Sequence, residues 1–149
     1  MSEKIIRVGI VGAGNNTRLR HIPGLKSIEN VQIVSICNRS RESSQRVADE
    51  FNIPTVYDTW LELVRSDDTD AICIGTWPYM HCPITIASLQ SSKHVLCEAR
   101  MALNANEAHS MLKTAREKPD LIAQLVPAPL TFKVDNAIQD LVANRYLGN

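Results

Sequence analysis

Short β-branched and aliphatic runs alternate along this chain with longer segments of helical period, and that alternation constrains the fold more than any other feature. The runs are IIRVGIVG at 5–12, VQIVSIC at 31–37, TVYD at 55–58, DAICIGT at 70–76, HVLCE at 94–98 and LIAQLV at 121–126. Between them RESSQRVADEF at 41–51, TWLELVRS at 59–66, MHCPITIASLQSS at 80–92 and ANEAHSMLKTAREK at 105–118 read as helices. Asn104, with Glu107 three positions on, marks the start of the last of these by the reciprocal capping pattern. Strands this apolar along their whole length suit a parallel sheet covered on both faces, because a sheet with one wet face would alternate. Strand–helix alternation with right-handed crossovers predicts an α/β fold, a doubly wound and mostly parallel sheet in three α/β/α layers.

At 149 residues the chain has the length of one domain and buries a core without needing disulfides. Its 16 basic and 16 acidic side chains cancel, which leaves no net field to gather nucleic acid or an anionic membrane. The start, MSEKIIRVGI, is too short and too charged for a signal peptide, and no apolar run reaches the length of a membrane span, so a cytoplasmic protein is expected. Cys37, Cys73, Cys82 and Cys97 have no CxxC spacing and read as reduced core thiols. No histidine and cysteine framework for a metal accompanies them, so no metal site is expected. Hydrolase chemistry ranks low, since no serine sits in a nucleophile-elbow pattern.

The stretch VGIVGAGNNTRLRHIPGL places Gly12 and Gly14 directly after the first strand, with a helix behind them. Glycines there allow a tight turn and bring backbone amides close to a pyrophosphate, whose charge a helix N-terminus favours. On the first strand of an alternating chain, this loop points to a Rossmann domain that binds a dinucleotide. The fingerprint's third position is Thr17 rather than glycine or alanine, and Asn15 and Asn16 offer side-chain donors to the phosphates. The second strand ends at Cys37 and Asn38, where an NAD-selective domain often carries an acid for the ribose hydroxyls. Asn38 has no charge to repel a 2'-phosphate, and Arg39, Ser40 and Arg41 form a cluster able to hold one. NADP is therefore favoured over NAD; the competing reading makes these residues a solvated first helical turn with Ser40 as its N-cap.

Together these stretches resemble the Gfo/Idh/MocA family, named for glucose-fructose oxidoreductase, inositol dehydrogenase and a rhizopine-catabolism protein. The resemblance is carried by GIVGAG with HIPGL close behind, RVADEFNIPTVYDTWLELV, DTDAICIGTWPYMHCPITIASLQSSKHVLCE and LNANEAHSML. It implies a Rossmann domain at residues 1–126. It also implies a segment at 127–149, including an amphipathic helix with Ile138, Leu141 and Val142 on one face, that leads toward a C-terminal substrate domain. This chain then looks like the first part of a longer enzyme, inactive as it stands, whose full length could form a homo-oligomer through the other domain. By the same resemblance Gly12 and Gly14 lie at the pyrophosphate and Asn38 and Arg39 at the adenosine ribose. Thr76, Trp77, Pro78 and His81 then lie along the cofactor, and Glu98 near the nicotinamide ribose. Trp77 either stacks on a ligand or packs its own loop, Trp60 is a core residue, and His21 is given a structural role.

Two departures from the family pattern stand out. Family members usually follow the acid with lysine and proline, and the lysine assists hydride and proton transfer beside the nicotinamide. Here Ala99 takes the lysine's place, and Arg100 can contact substrate or charge but cannot serve as a base, leaving the catalytic group unknown. Pro127, Ala128 and Pro129 stand where the family often has a glycine and an arginine–aromatic pair. The expected function is hydride transfer with a sugar, polyol or related hydroxyl or carbonyl compound. The alternatives are a non-catalytic dinucleotide-binding or sensing module, and a structural Rossmann domain with an empty groove.

Overall fold

A computed structural model describes residues 4–127 and 135–146, so Ala128 and Pro129 lie outside the described residues. Six parallel strands, β1 (Ile6–Val11), β2 (Val31–Cys37), β3 (Thr55–Val56), β4 (Ala71–Ile74), β5 (His94–Cys97) and β6 (Ala123–Leu125), form one sheet in the order β3-β2-β1-β4-β5-β6. The helices are α1 (Ile22–Lys26), α2 (Arg41–Phe51), α3 (Trp60–Arg65), α4 (His81–Gln90), α5 (Ala105–Arg116) and α6 (Asp135–Ala143). This is the doubly wound Rossmann arrangement that the alternation predicts. No described helix is long and apolar enough to cross a membrane.

Local chemistry sets the helix boundaries. Ser40 starts α2 and Thr59 starts α3, each closing a capping box with Ser43 and Glu62 respectively. Asn104 caps α5 by accepting from the Glu107 amide at 3.0 Å. The reciprocal half differs from expectation: the Glu107 carboxylate accepts from the amide of Leu103, not from that of Asn104.

The sheet divides two apolar layers. Val8, Ile10, Ile22, Ile33, Ile36 and Val47 pack on one side, and Leu63, Ile72, Ile74, Ile84, Leu89 and Val95 on the other. Successive residues of a strand point to opposite faces, so Ile72 and Ile74 enter one layer while Cys73 enters the other. Each fully buried isoleucine contributes about 1.5–3 kcal/mol, which makes both layers necessary. All four cysteines are free and buried. The edge departs from the expectation of a sheet covered on both faces, since all of β6 is exposed.

Gly9, inside β1, lets α3 settle onto the sheet: an added Cβ would lie 2.6 Å from Leu63 Cδ2 and 3.0 Å from Ser35 Oγ. At the opposite end from the ligand crevice described below, Arg7 grips Asp70 through Nε at 3.1 Å and Nη2 at 2.9 Å, while its backbone amide donates to the same carboxylate. The Arg7 side chain holds the Asp70 carboxyl down to about 2 from 3.8 despite partial burial. A depressed carboxyl contributes stability that is present above its unfolded value and is lost as pH falls through the folded one. The melting temperature should therefore fall between about pH 4 and about pH 2 more steeply in the wild type than in Asp70→Asn. The variant should melt lower at pH 7, and parallel curves for the two proteins would contradict this role.

Candidate cofactor site

The strand order reverses between β1 and β4, and ligands of open α/β sheets bind in the crevice at the carboxyl ends of such strands. Beyond Val11 and Ile74 the chain continues into Gly12 and Gly75, and the two loops press together there. Gly12 sits at φ +85°, and an added Cβ would lie 2.6 Å from the Thr76 methyl and 2.7 Å from its backbone nitrogen. The glycine expected at the pyrophosphate is thus covered by Thr76. Gly14 is the open one, with its nearest obstruction the Gly75 carbonyl oxygen at 3.9 Å.

Sequence reasoning missed Gly75. An added Cβ there would lie 2.0 Å from Thr17 Oγ1 and 2.5 Å from the Gly12 carbonyl oxygen. Thr17 itself is buried, and its hydroxyl donates to that carbonyl at 3.1 Å. The threonine at the fingerprint's third position is accommodated because its neighbour across the crevice has no side chain. Only the pairing of β1 with β4 reveals this compensation.

The helix behind the loop takes its first bond from the Arg18 amide to the Gly14 carbonyl, at 3.0 Å. The amides before Arg18 have no partner within the helix, and the helix start favours an anion there. Asn15 is exposed beside them. The segment Thr17–His21 is a π-helical turn that runs into α1. Its i to i+5 spacing brings Asn16 and His21 to one side, and both meet Glu98 at the end of β5. His21 Nε2 lies 2.5 Å from Glu98 Oε1, Asn16 Nδ2 donates to the same oxygen, and the Ala99 amide donates to Oε2 at 2.9 Å. Burial pushes the Glu98 carboxyl up, but His21, the Ala99 amide and Asn16 outweigh it and hold it below the usual carboxylate range. His21, read as structural from sequence, belongs to this cluster.

Asn38 differs from its expected place at the ribose. Its Oδ1 accepts from the Ala13 amide at 2.6 Å and its Nδ2 donates to the Ser43 carbonyl at 3.0 Å, so it braces the glycine loop against α2. Ser40 is the N-cap, as the competing reading held, and Arg41 pairs with Asp58 at 2.6 Å. Arg39 is exposed and makes no ion pair among the described residues, which leaves it the available one of the cluster's two guanidinium groups.

Past β4, Trp77 is 74% exposed, which rules out simple loop packing, and Trp60 packs against the core as expected. Pro78 opens a 3-10 turn, Pro78–Met80, leading into α4. His81 corrects a second expectation: its side chain is fully buried, with Nδ1 2.7 Å from the Arg100 carbonyl oxygen and Nε2 2.9 Å from that of Thr76. Both ring nitrogens are directed at loop carbonyls rather than into the crevice. Ala99 and Arg100 are exposed, and the peptide between them is cis. Cys97, next to Glu98, offers no nucleophile, because burial pushes its thiol up to about 11. The residues present fit a dinucleotide: an uncovered glycine and free helix amides for phosphates, an exposed aromatic ring, and a carboxylate at the far side of the crevice.

Comparison with known proteins agrees. The model of the Gfo/Idh/MocA oxidoreductase family, for its NAD-binding Rossmann fold, matches residues 6–124. A trans-1,2-dihydrobenzene-1,2-diol dehydrogenase of Xenopus tropicalis is 32% identical over 111 residues, 73% of this chain and 33% of its own. A 4-carboxy-2-hydroxymuconate-6-semialdehyde dehydrogenase of a Sphingobium strain is also 32% identical, over 75% of this chain and 35% of its own. The chain thus spans about a third of the length of these relatives. Among solved structures, a scyllo-inositol dehydrogenase from Lactobacillus casei shares the fold with a TM-score of 0.81 at 20% identity, covering 100% of this chain and 44% of its own. A 3-ketoreductase from Actinomadura kijaniata, solved with NADP and TDP-benzene, does so with a TM-score of 0.78 at 22% identity, covering 95% of this chain and 43% of its own. With its fold, its crevice and its sequence in agreement, the chain belongs to the Gfo/Idh/MocA oxidoreductase family, of which it carries the NAD(P)-binding Rossmann domain.

Proposed function

We propose that this chain is the cofactor-binding part of an NADP-dependent oxidoreductase that moves a hydride to or from a sugar, polyol or related diol. The observation that carries the reading is the uncovered Gly14 at the sheet's switch point, with helix amides behind it. Residues 1–126 form the dinucleotide-binding unit in this reading, and 127–149 lead toward a domain that holds substrate. The named substrates of the relatives, a dihydrodiol and a semialdehyde, and those of the inositol dehydrogenase each present a carbon able to give or take a hydride. When bound, the cofactor supplies the hydride acceptor or donor.

The chain's own residues divide the work. Gly14 and the helix amides hold the pyrophosphate, and Arg39 meets the 2'-phosphate as a guanidinium fork. Asn15 and Asn16 line the phosphate path, and Thr76, Trp77 and Pro78 border the nicotinamide half. Glu98, ionised and clasped by Asn16 and His21, faces the ribose on that side. Ala99 handles no proton, and Arg100 orients an anionic or polarised substrate group without accepting one. The acid–base group therefore comes from outside this loop. Ala99 also favours a second reading, a dinucleotide-sensing module without chemistry, for which a full-length protein that binds NADPH but oxidises no polyol would speak.

Calorimetric titration at fixed salt tests the cofactor assignment. Arg39→Glu should weaken NADPH binding about tenfold or more while changing NADH binding little. Equal losses for both cofactors would remove Arg39 from the 2'-phosphate. The two loop glycines should separate cleanly. Gly14→Val should abolish dinucleotide binding with little change in melting temperature, whereas Gly12→Val should cost about 3 kcal/mol of stability through its positive φ and its clash with Thr76. Retained NADPH affinity in Gly14→Val would place the pyrophosphate elsewhere.

A further inference from the structure

His81 is the buried titratable group that the proposed function leaves without a task. Its ring lies between two carbonyl oxygens, those of Thr76 and Arg100, at 2.9 and 2.7 Å. Thr76 covers Gly12 and precedes the exposed Trp77, while Arg100 follows Glu98 and Ala99. The two loops that border the nicotinamide half of the crevice are thus tied at one imidazole. A neutral imidazole carries one N–H and an imidazolium carries two, so only the protonated ring donates to both carbonyls at once. With a neutral ring, one carbonyl faces a lone pair, and its loop loses a tether.

We propose that His81 is a positioning residue that sets the mouth of the cofactor site by donating from both ring nitrogens to the β4 and β5 loops. The inference rests on the dinucleotide reading for its effect on affinity, but not for its effect on the loops. Among the described residues no carboxylate is hydrogen-bonded to the ring. The turn 78–80 contributes only Tyr79, which is exposed, and α4 adds only the buried Cys82. The β5 loop contributes exposed Arg100 and Glu98, whose oxygens are taken by Asn16, His21 and Ala99. Helix α5, packed on α4, brings Glu107, which is bound to the Leu103 amide, as well as His109 and Lys113. Helix α3, also packed on α4, brings Glu62, which caps its own helix, and Arg65.

Hydrogen exchange of the free chain tests the tether without any cofactor. His81→Leu should raise exchange at 76–80 and 99–102 about tenfold or more, with β1, β2 and β4 unchanged, and His81→Gln, which keeps one donor, should fall between. NADPH affinity should drop about tenfold in His81→Leu and recover partly in His81→Gln. Exchange that rises evenly over the whole sheet, or stays unchanged in both loops, would overturn the proposal, as would an NADPH affinity in His81→Gln no better than in His81→Leu. Should His81→Leu fail to fold, the glutamine variant decides the matter alone. If the wild type binds no dinucleotide, the functional reading falls while the exchange result still judges His81.

Discussion

The structure depends on the contact between the loops that leave β1 and β4. Each loop approaches the other at a residue without a side chain, and each puts a threonine into the space so freed. Thr76 lies over Gly12, and Thr17 lies against Gly75. The arrangement is reciprocal: filling either glycine would drive a Cβ into backbone or buried atoms that have nowhere to move. The close contact gives the crevice a defined floor, and the helix after Gly14 starts beside it. The usual small residue at the third fingerprint position becomes dispensable once Gly75 gives up its own volume. The threonine that departs from the fingerprint and the glycine opposite it are thus one packing solution.

A second constraint radiates from Glu98. Its carboxylate joins the helix after the glycine loop to the end of β5, and the π-helical turn makes this possible by bringing Asn16 and His21 to one side. An unbroken α-helix would turn residues five apart to different faces. Local helical regularity is given up at the place where two elements of the site must meet, a pattern common to such bulges. Three donors on one carboxylate outweigh its burial and keep it ionised, so the link is electrostatic as well as geometric.

Most of the fold was legible because hydrophobic periodicity and capping are local. Every strand and helix lies where its run of residues placed it, and Ser40, Thr59 and Asn104 start their helices. The site was legible in its parts and less so in its connections. Gly14, Asn16, Arg39 and Glu98 stand around the crevice, but the roles of Gly12, Asn38 and His81 were assigned outward, toward a ligand, when each is turned inward toward another loop. Sequence spacing shows which residues reach the carboxyl end of the sheet. Which of them spend their polar atoms on one another depends on contacts between separate loops, 25 residues apart for Asn38 and Ala13 and 19 for His81 and Arg100, and no periodicity carries that information.

The loop at 98–100 separates the two tasks that a dehydrogenase site normally joins. Binding needs a floor and a helix start that favours an anion, and the contact of the β1 and β4 loops and the helix after Gly14 offer both. Proton transfer needs a group that can change its charge near neutrality. Ala99 has no such group, and the Arg100 guanidinium never leaves its charged state. Glu98 is held ionised with three of its roughly four acceptor positions occupied, so taking a proton would break contacts that order the crevice. The carboxylate is therefore more use as an anchor than as a base. In this loop the order around Glu98, held by Asn16, His21 and the Ala99 amide, does not depend on a titratable group at position 99. That is the condition under which an acid or base supplied by another part of the molecule can work on a cofactor already held in place.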